Sequence, residues 1–166
     1  MITSVLIGLE QSLAAKDRLE ESVRRNEELV ALLREDRSLR HANEHFVLKN
    51  LHMSLVRLGR LDEALATARL ARPLLEKAGR GPELLEPCAL LLMGGRIDDA
   101  ARMAGRGGAS FTALDFRRDP VEHKLYDLLV LGLREARAPG DLARLMEEGR
   151  ALGDAEAMRL AFGDAG

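Results

Sequence analysis

Gly59-Arg60-Leu61-Asp62-Glu63-Ala64-Leu65 recurs 36 residues downstream as Gly95-Arg96-Ile97-Asp98-Asp99-Ala100-Ala101. Each copy follows an apolar helical stretch and opens another. A repeat at this period points to stacked helical hairpins. The chemistry of the heptapeptide fits that reading. Glycine ends a helix sharply, because it enters the left-handed region without steric cost. Leu61 and Ile97 are expected to tuck between the two helices. The acids that follow suit the first turn, where the free N–H groups and the helix dipole favour negative charge. Ala64 and Ala100 let the second helix pack closely on the first.

Composition agrees with an all-α chain. Of 166 residues, 46% are hydrophobic and 31% charged, which excludes a disordered polymer. Leu, Ala, Arg and Glu dominate and are good helix formers, while strand formers are sparse. The length suits one domain, expected over residues 1–166, with a core that needs neither disulfide nor metal. Its parts are a helical segment over 1–40, the clearest repeats over 42–105 and a degenerate hairpin or cap over 121–166. The net charge of −2 demands no polyanionic partner. Cys88 is the single cysteine, so no internal disulfide can form. The apolar start, Met1 to Leu9, lacks a basic leader and ends at Glu10. No signal peptide or membrane span is expected, and the chain reads as cytoplasmic.

Periodicity predicts helices over 2–15 and 18–35, or one unbroken helix over 2–35. In the two-helix case Asp17 and Glu20 cap the second. Leu19, Val23, Val30 and Leu33 form a heptad-like seam broken by Asn26, which fits a partner helix in the same chain or another. The charged stretch 34–41 reads as a boundary or an exposed turn. Helices are expected over 42–58, 62–78, 83–94 and 98–105, with Pro82 in a first turn. The glycines at 105, 107 and 108 predict a loop to about Pro120. Helices over 121–136, 141–152 and 155–162 complete the chain.

Over about residues 45–105 the pattern resembles the tetratricopeptide family, whose repeats carry a G-x-[apolar]-[DE]-E-A step. Ala68 and Ala71 fall where that family places small residues. Arg60 and Arg96 depart from its usual Asp or Asn, and Glu76 stands where a helix-ending proline is expected. The second unit degrades after Met103, and Asp141-Leu142-Ala143 is out of register. The resemblance implies a right-handed array of antiparallel hairpins with an N-terminal helix or helix pair. The residue-level alternative is an ordinary helical bundle in which the heptapeptide simply ends helices well.

In such arrays the first helix of each pair builds a concave face that binds segments of other proteins. The resemblance places Phe46, Lys49, Met53 and Val56 on that face in one repeat, and Leu85, Ala89 and Leu92 in the next. The alternative for each is plain core packing. A mostly apolar lining suits a partner helix or an extended segment. Lys49 matches one position of the carboxylate-gripping members, but Met53 replaces the expected Asn and Glu86 opposes another, so no such clamp is expected. The stretch Glu86 to Met93, followed by Gly-Arg-Ile, is similar to the tetratricopeptide chaperones of bacterial type III secretion. The expected function is therefore an adaptor or chaperone without catalysis, cofactor or metal. The alternative is a regulatory or structural protein that forms a homodimer through the 18–35 seam.

Other motifs carry less. His41-Ala42-Asn43-Glu44-His45 fits a zinc-peptidase H-x-x-E-H pattern, but it sits in a charged junction rather than a roofed cleft. The glycine cluster lacks the Lys-Ser or Lys-Thr of a phosphate loop. Cys88 lies in an apolar stretch, as a buried small hydrophobe does. Arg24, Arg25, Arg34, Arg37 and Arg40 interleave with Glu27, Glu28, Glu35 and Asp36, and few aromatics are present to stack on bases. Neither nucleic acid nor membrane is an expected partner.

Overall fold

A computed structural model describes residues 13–14, 16–35 and 37–163, and for residues 37–42 the backbone alone. Among the described residues all regular structure is helical. The chain gathers into two compact units that meet in sequence at Gly79 and Arg80.

In the first unit, Leu13 and Ala14 end a helical turn. The N–H groups of Lys16 and Arg18 both donate to the Leu13 carbonyl, and Asp17 takes φ 61°. This turn separates what precedes it from α1 (Leu19–Glu35), so the single-helix alternative for 2–35 is excluded. The rest of the expected 2–15 helix lies outside the described residues. Asp17 also accepts a hydrogen bond from the Arg57 guanidinium. On α1, Ser22, Val23, Asn26, Leu29, Val30 and Leu33 are buried, at the spacing of one helix face.

The partner of that face is α2 (Arg37–Arg57) in the same chain. The Ser22 and Ser54 hydroxyls meet at 3.0 Å between the two helices. α2 starts five residues earlier than expected. The boundary expected in the charged stretch falls between Glu35 and Arg37, and the rest of the stretch is already helix, because Arg, Ser, Leu and His offer nothing to break the backbone ladder. Residues 47–56 are buried without interruption, polar side chains included. A helix buried on every side belongs to a core.

α2 ends in a Schellman turn at Gly59. Gly59 has φ 73°, its N–H donates to Val56 O, and the Arg60 N–H donates to Leu55 O. The hairpin then returns as α3 (Leu61–Lys77), which buries Ala64, Thr67, Ala68, Ala71 and Leu75. The expected role of alanine is met: Ala64, Ala68 and Ala71 are fully buried. The expected role of Leu61 is not, since it stands exposed at the helix start. The departure to arginine has a local reason. Arg60 is the N-cap residue, yet no side-chain cap forms. Its guanidinium instead grips Glu63 through two hydrogen bonds of 2.8 and 2.6 Å. Arg96 pairs with Asp99 in the same way at 2.9 Å. Pro73 lies inside α3 on its exposed side. The helix runs through it, although the C=O four residues earlier loses a donor.

The second unit opens with a 3-10 turn, Gly81–Leu84, carrying Pro82 at its start. It continues as α4 (Leu85–Leu92), α5 (Ile97–Ala113), α6 (Pro120–Ala136), α7 (Pro139–Arg150) and α8 (Asp154–Phe162). α4 is shorter than the expected 83–94 helix because the 3-10 turn takes its first residues. The two heptapeptides differ at the turn itself. At the second copy the left-handed φ of Gly59 is not repeated, and the Arg96 N–H donates to Leu92 O at 2.7 Å. A capping box opens α6: Asp119 accepts from the N–H groups of Val121 and Glu122, and Glu122 accepts from the Asp119 N–H.

The glycine cluster overturns an expectation. Residues 105–108 do not begin a loop; α5 runs straight through them to Ala113. Three interior glycines cost about 1 kcal/mol each in propensity. Close packing offsets that cost. A Cβ at Gly105 would lie 2.1 Å from the Met146 carbonyl oxygen, and one at Gly149 would lie 1.9 Å from the Arg102 carbonyl oxygen. α5 and α7 therefore meet backbone to backbone, each through a glycine of its own. Polar contacts flank the crossing. Arg102 pairs with Glu148 at 2.9 Å, and Asp154 accepts from both Arg106 and Ser110 at 2.7 Å.

Candidate functional site

The residues expected to line a groove are mostly interior. In the first unit Lys49, Met53 and Val56 are buried and Phe46 is half-buried. Phe46 stacks beside His45 with ring centroids 4.1 Å apart, and the Lys49 Nζ lies 5.9 Å from the Phe46 ring. In the second unit Leu85 and Ala89 have no exposed surface, and Leu92 is buried. Of these side chains, Phe46 alone keeps partial exposure. α2 packs against α1 and α3, and α4 against α5, α6 and α8, so these positions serve as core packing in this conformation. The Val23 and Val30 of the proposed seam are likewise buried within the chain.

An accessible concavity lies elsewhere in the second unit. Tyr126, Val130 and Arg134 of α6 face Leu142, Met146 and Arg150 of α7 across a cleft of about 510 Å³. Arg137, Pro139 and Ala143 complete its wall. Each helix presents one face to it, since residues four and eight apart share a face. The two faces read alike: two apolar residues, then an arginine. The cleft is of ligand-binding size, and its lining holds three guanidiniums and no carboxylate. Arg137 pairs with Asp98 at 2.8 Å and Arg150 with Glu147 at 2.5 Å, both outside the lining. Arg134 is exposed and makes no ion pair among the described residues. Leu128 and Leu131, also on α6, are about half exposed. Sequence reasoning missed this cleft. The spacing of each face was visible, but nothing in it said that the two helices face each other.

A second cluster holds the loop after α5. Arg118 hydrogen-bonds both oxygens of Glu86, one at 2.8 Å. Its guanidinium lies 4.7 Å from the Phe111 ring centroid and 4.1 Å from that of Tyr126. Glu86 is buried, and a Cβ at Gly107 would come within 2.8 Å of its Cγ. Burial pushes the Glu86 carboxyl above its ordinary range, and Arg118 draws it part of the way back. The pair fastens the 114–119 loop onto α4, and neither oxygen of Glu86 is left to act as an open base. Arg118→Ala should cost the second unit about 2 kcal/mol in urea melts, the scale of losing charge-assisted hydrogen bonds from a buried group. Full stability in that variant would mean the pair anchors nothing.

The zinc-like motif, His41 to His45, is described only in part. Its His41 side chain lies outside the described residues, and no group of three or more His, Cys, Asp or Glu side chains able to hold a metal occurs among the described ones. Cys88 is buried. Among the described residues no helix is long and apolar enough to cross a membrane. Neither a family model, a curated protein nor a solved structure matches the chain.

Proposed function

We propose that this chain is a protein-interaction module built from tetratricopeptide-like hairpins, with the α6–α7 cleft as the place where a partner segment lies. The observation that carries the reading is the cleft itself: apolar floor, cationic rim and accessible lining. Binding clefts combine apolar walls with a few placed polar groups in this way. The repeated heptapeptide supports the hairpin part of the reading. The likeness of the stretch Glu86 to Met93 to type III secretion chaperones names one kind of adaptor this reading admits. The oligomerisation alternative is weaker still, since the side chains of its seam are already used inside the first unit.

The test is affinity capture with the intact chain, followed by calorimetry on the purified partner. Val130→Glu puts a charge on the cleft floor. Leu70→Glu alters an exposed leucine of α3 and serves as control. The expected result is one stoichiometric partner, bound at least tenfold more weakly by the folded Val130→Glu variant and unchanged by Leu70→Glu. A partner indifferent to Val130→Glu would place the site elsewhere and sink this reading.

A further inference from the structure

Resting on the cleft as a partner site, we infer that its occupant is an acidic amphipathic helix of another protein, with carboxylates about two turns apart on either side of an apolar stripe. Three observations converge. The lining carries Arg134, Arg137 and Arg150 without any carboxylate; Arg137 and Arg150 already pair with Asp98 and Glu147 outside it, so Arg134 is the charge that most favours an anionic occupant over a cationic one. Arg134 has no ion-pair partner among the described residues, so a carboxylate placed there displaces none of them. Guanidinium groups also match carboxylates in geometry through paired N–H donors.

The second observation is the arrangement of charge about the floor. Arg134 and Arg137 stand at the connection between the helices, whereas Arg150 lies in the last turn of α7. Arg150 is eight residues beyond Leu142, roughly 12 Å along a helix that rises 1.5 Å per residue. Val130, Leu142 and Met146 lie between. An occupant helix spans the same distance in seven or eight residues. Its acids at those positions reach the two ends while the residues between them enter the floor. The third observation is shape. A trough between two helices admits a rod, and grooves of this kind take the apolar face of a helix. A flat bilayer does not enter it. Met146 adds a side chain that adapts to the incoming surface.

The test uses three synthetic 18-residue helical peptides that share one leucine–alanine stripe and differ only in flanking Glu, Gln or Lys. Affinity for the intact chain is read by fluorescence anisotropy at two salt concentrations. Vesicles containing phosphatidylserine form a fourth arm. The Glu peptide should bind at least tenfold more tightly than the Gln peptide, and the Lys peptide more weakly than either. Added salt should narrow the gap. Arg134→Gln should remove most of the Glu preference and leave the Gln peptide unchanged; Arg134 is exposed and makes no ion pair among the described residues, and circular dichroism checks that the variant keeps its fold. If the Glu and Gln peptides bind alike and Val130→Glu weakens both, the acidic class is wrong and the cleft reading stands. If no peptide binds, or only the vesicles do, both are overturned.

Discussion

Gly149→Ala should destabilise the second unit by about 3 kcal/mol or more, and Gly105→Ala by a similar amount. Inserting atoms into a packed interface costs about 1–3 kcal/mol where neighbouring side chains can move aside. Here they cannot. The added methyl would stand 1.9 Å from the Arg102 carbonyl oxygen in one variant and 2.1 Å from the Met146 carbonyl oxygen in the other. Relief requires α5 and α7 to separate, and with them the Arg102–Glu148 contact. The gain in helix propensity on replacing glycine, about 1 kcal/mol, recovers part of the loss. The double variant should cost less than the sum, because one separation of the helices relieves both clashes. Gly108→Ala supplies the control. Nothing lies within 4 Å of the added Cβ, so only propensity changes, and stability should rise by about 0.5–1 kcal/mol. Urea melts followed by circular dichroism give all four values. Equal, small effects at positions 105, 108 and 149 would refute the backbone-to-backbone crossing.

The first unit should weaken in mild acid through a single side chain. His52 is wholly buried on α2, with its Nδ1 2.9 Å from the Ala64 carbonyl oxygen on α3. In the neutral ring Nδ1–H donates to that carbonyl. Burial lowers its pKa from 6.5 to about 4. The sign follows from linkage: the unfolded chain takes up a proton first, so the contribution is intact above pH 6.5 and is lost as pH falls toward 4. At about 1.4 kcal/mol per pKa unit the whole window is worth about 3 kcal/mol, and about 2 kcal/mol is gone by pH 5. His52→Gln keeps a donor for the Ala64 carbonyl but does not titrate. Denaturant melts at pH 7 and pH 5 should show the loss in the parent chain and not in the variant. An equal loss in both would assign the acid sensitivity to other groups.

Much of the helical map follows from local signals. Gly59 and Gly79 end helices, Pro82, Pro120 and Pro139 stand in first turns, and helix ends from 120 onward match periodicity to within a few residues. These features are local because caps and glycine or proline conformations depend on neighbours within about one turn. The buried alanines of α3 and the small residue at Ala100 were legible for the same reason. The charged stretch 34–41 does hold a helix boundary, between Glu35 and Arg37, but the next helix already opens inside it, since charged residues do not themselves break a backbone ladder.

The glycines at 105, 107 and 108 and the cleft mark the limit of such reading. A glycine run carries the same local preference whether it opens a loop or lets another helix approach, and only Met146 and Glu86, distant in sequence, decide between them. Likewise, apolar residues at one spacing lie in a core or on an accessible wall according to what covers them. Leu85 and Leu92 are inside, while Val130 and Met146 line the cleft. Sequence alone determined the helical class, the main breaks and the small-residue face of the hairpin, because each rests on backbone preference and periodicity. Tertiary structure decided the glycine crossing, the Glu86–Arg118 anchor and the arginine-rimmed cleft, because each exists only where side chains from separate helices come within a few ångströms.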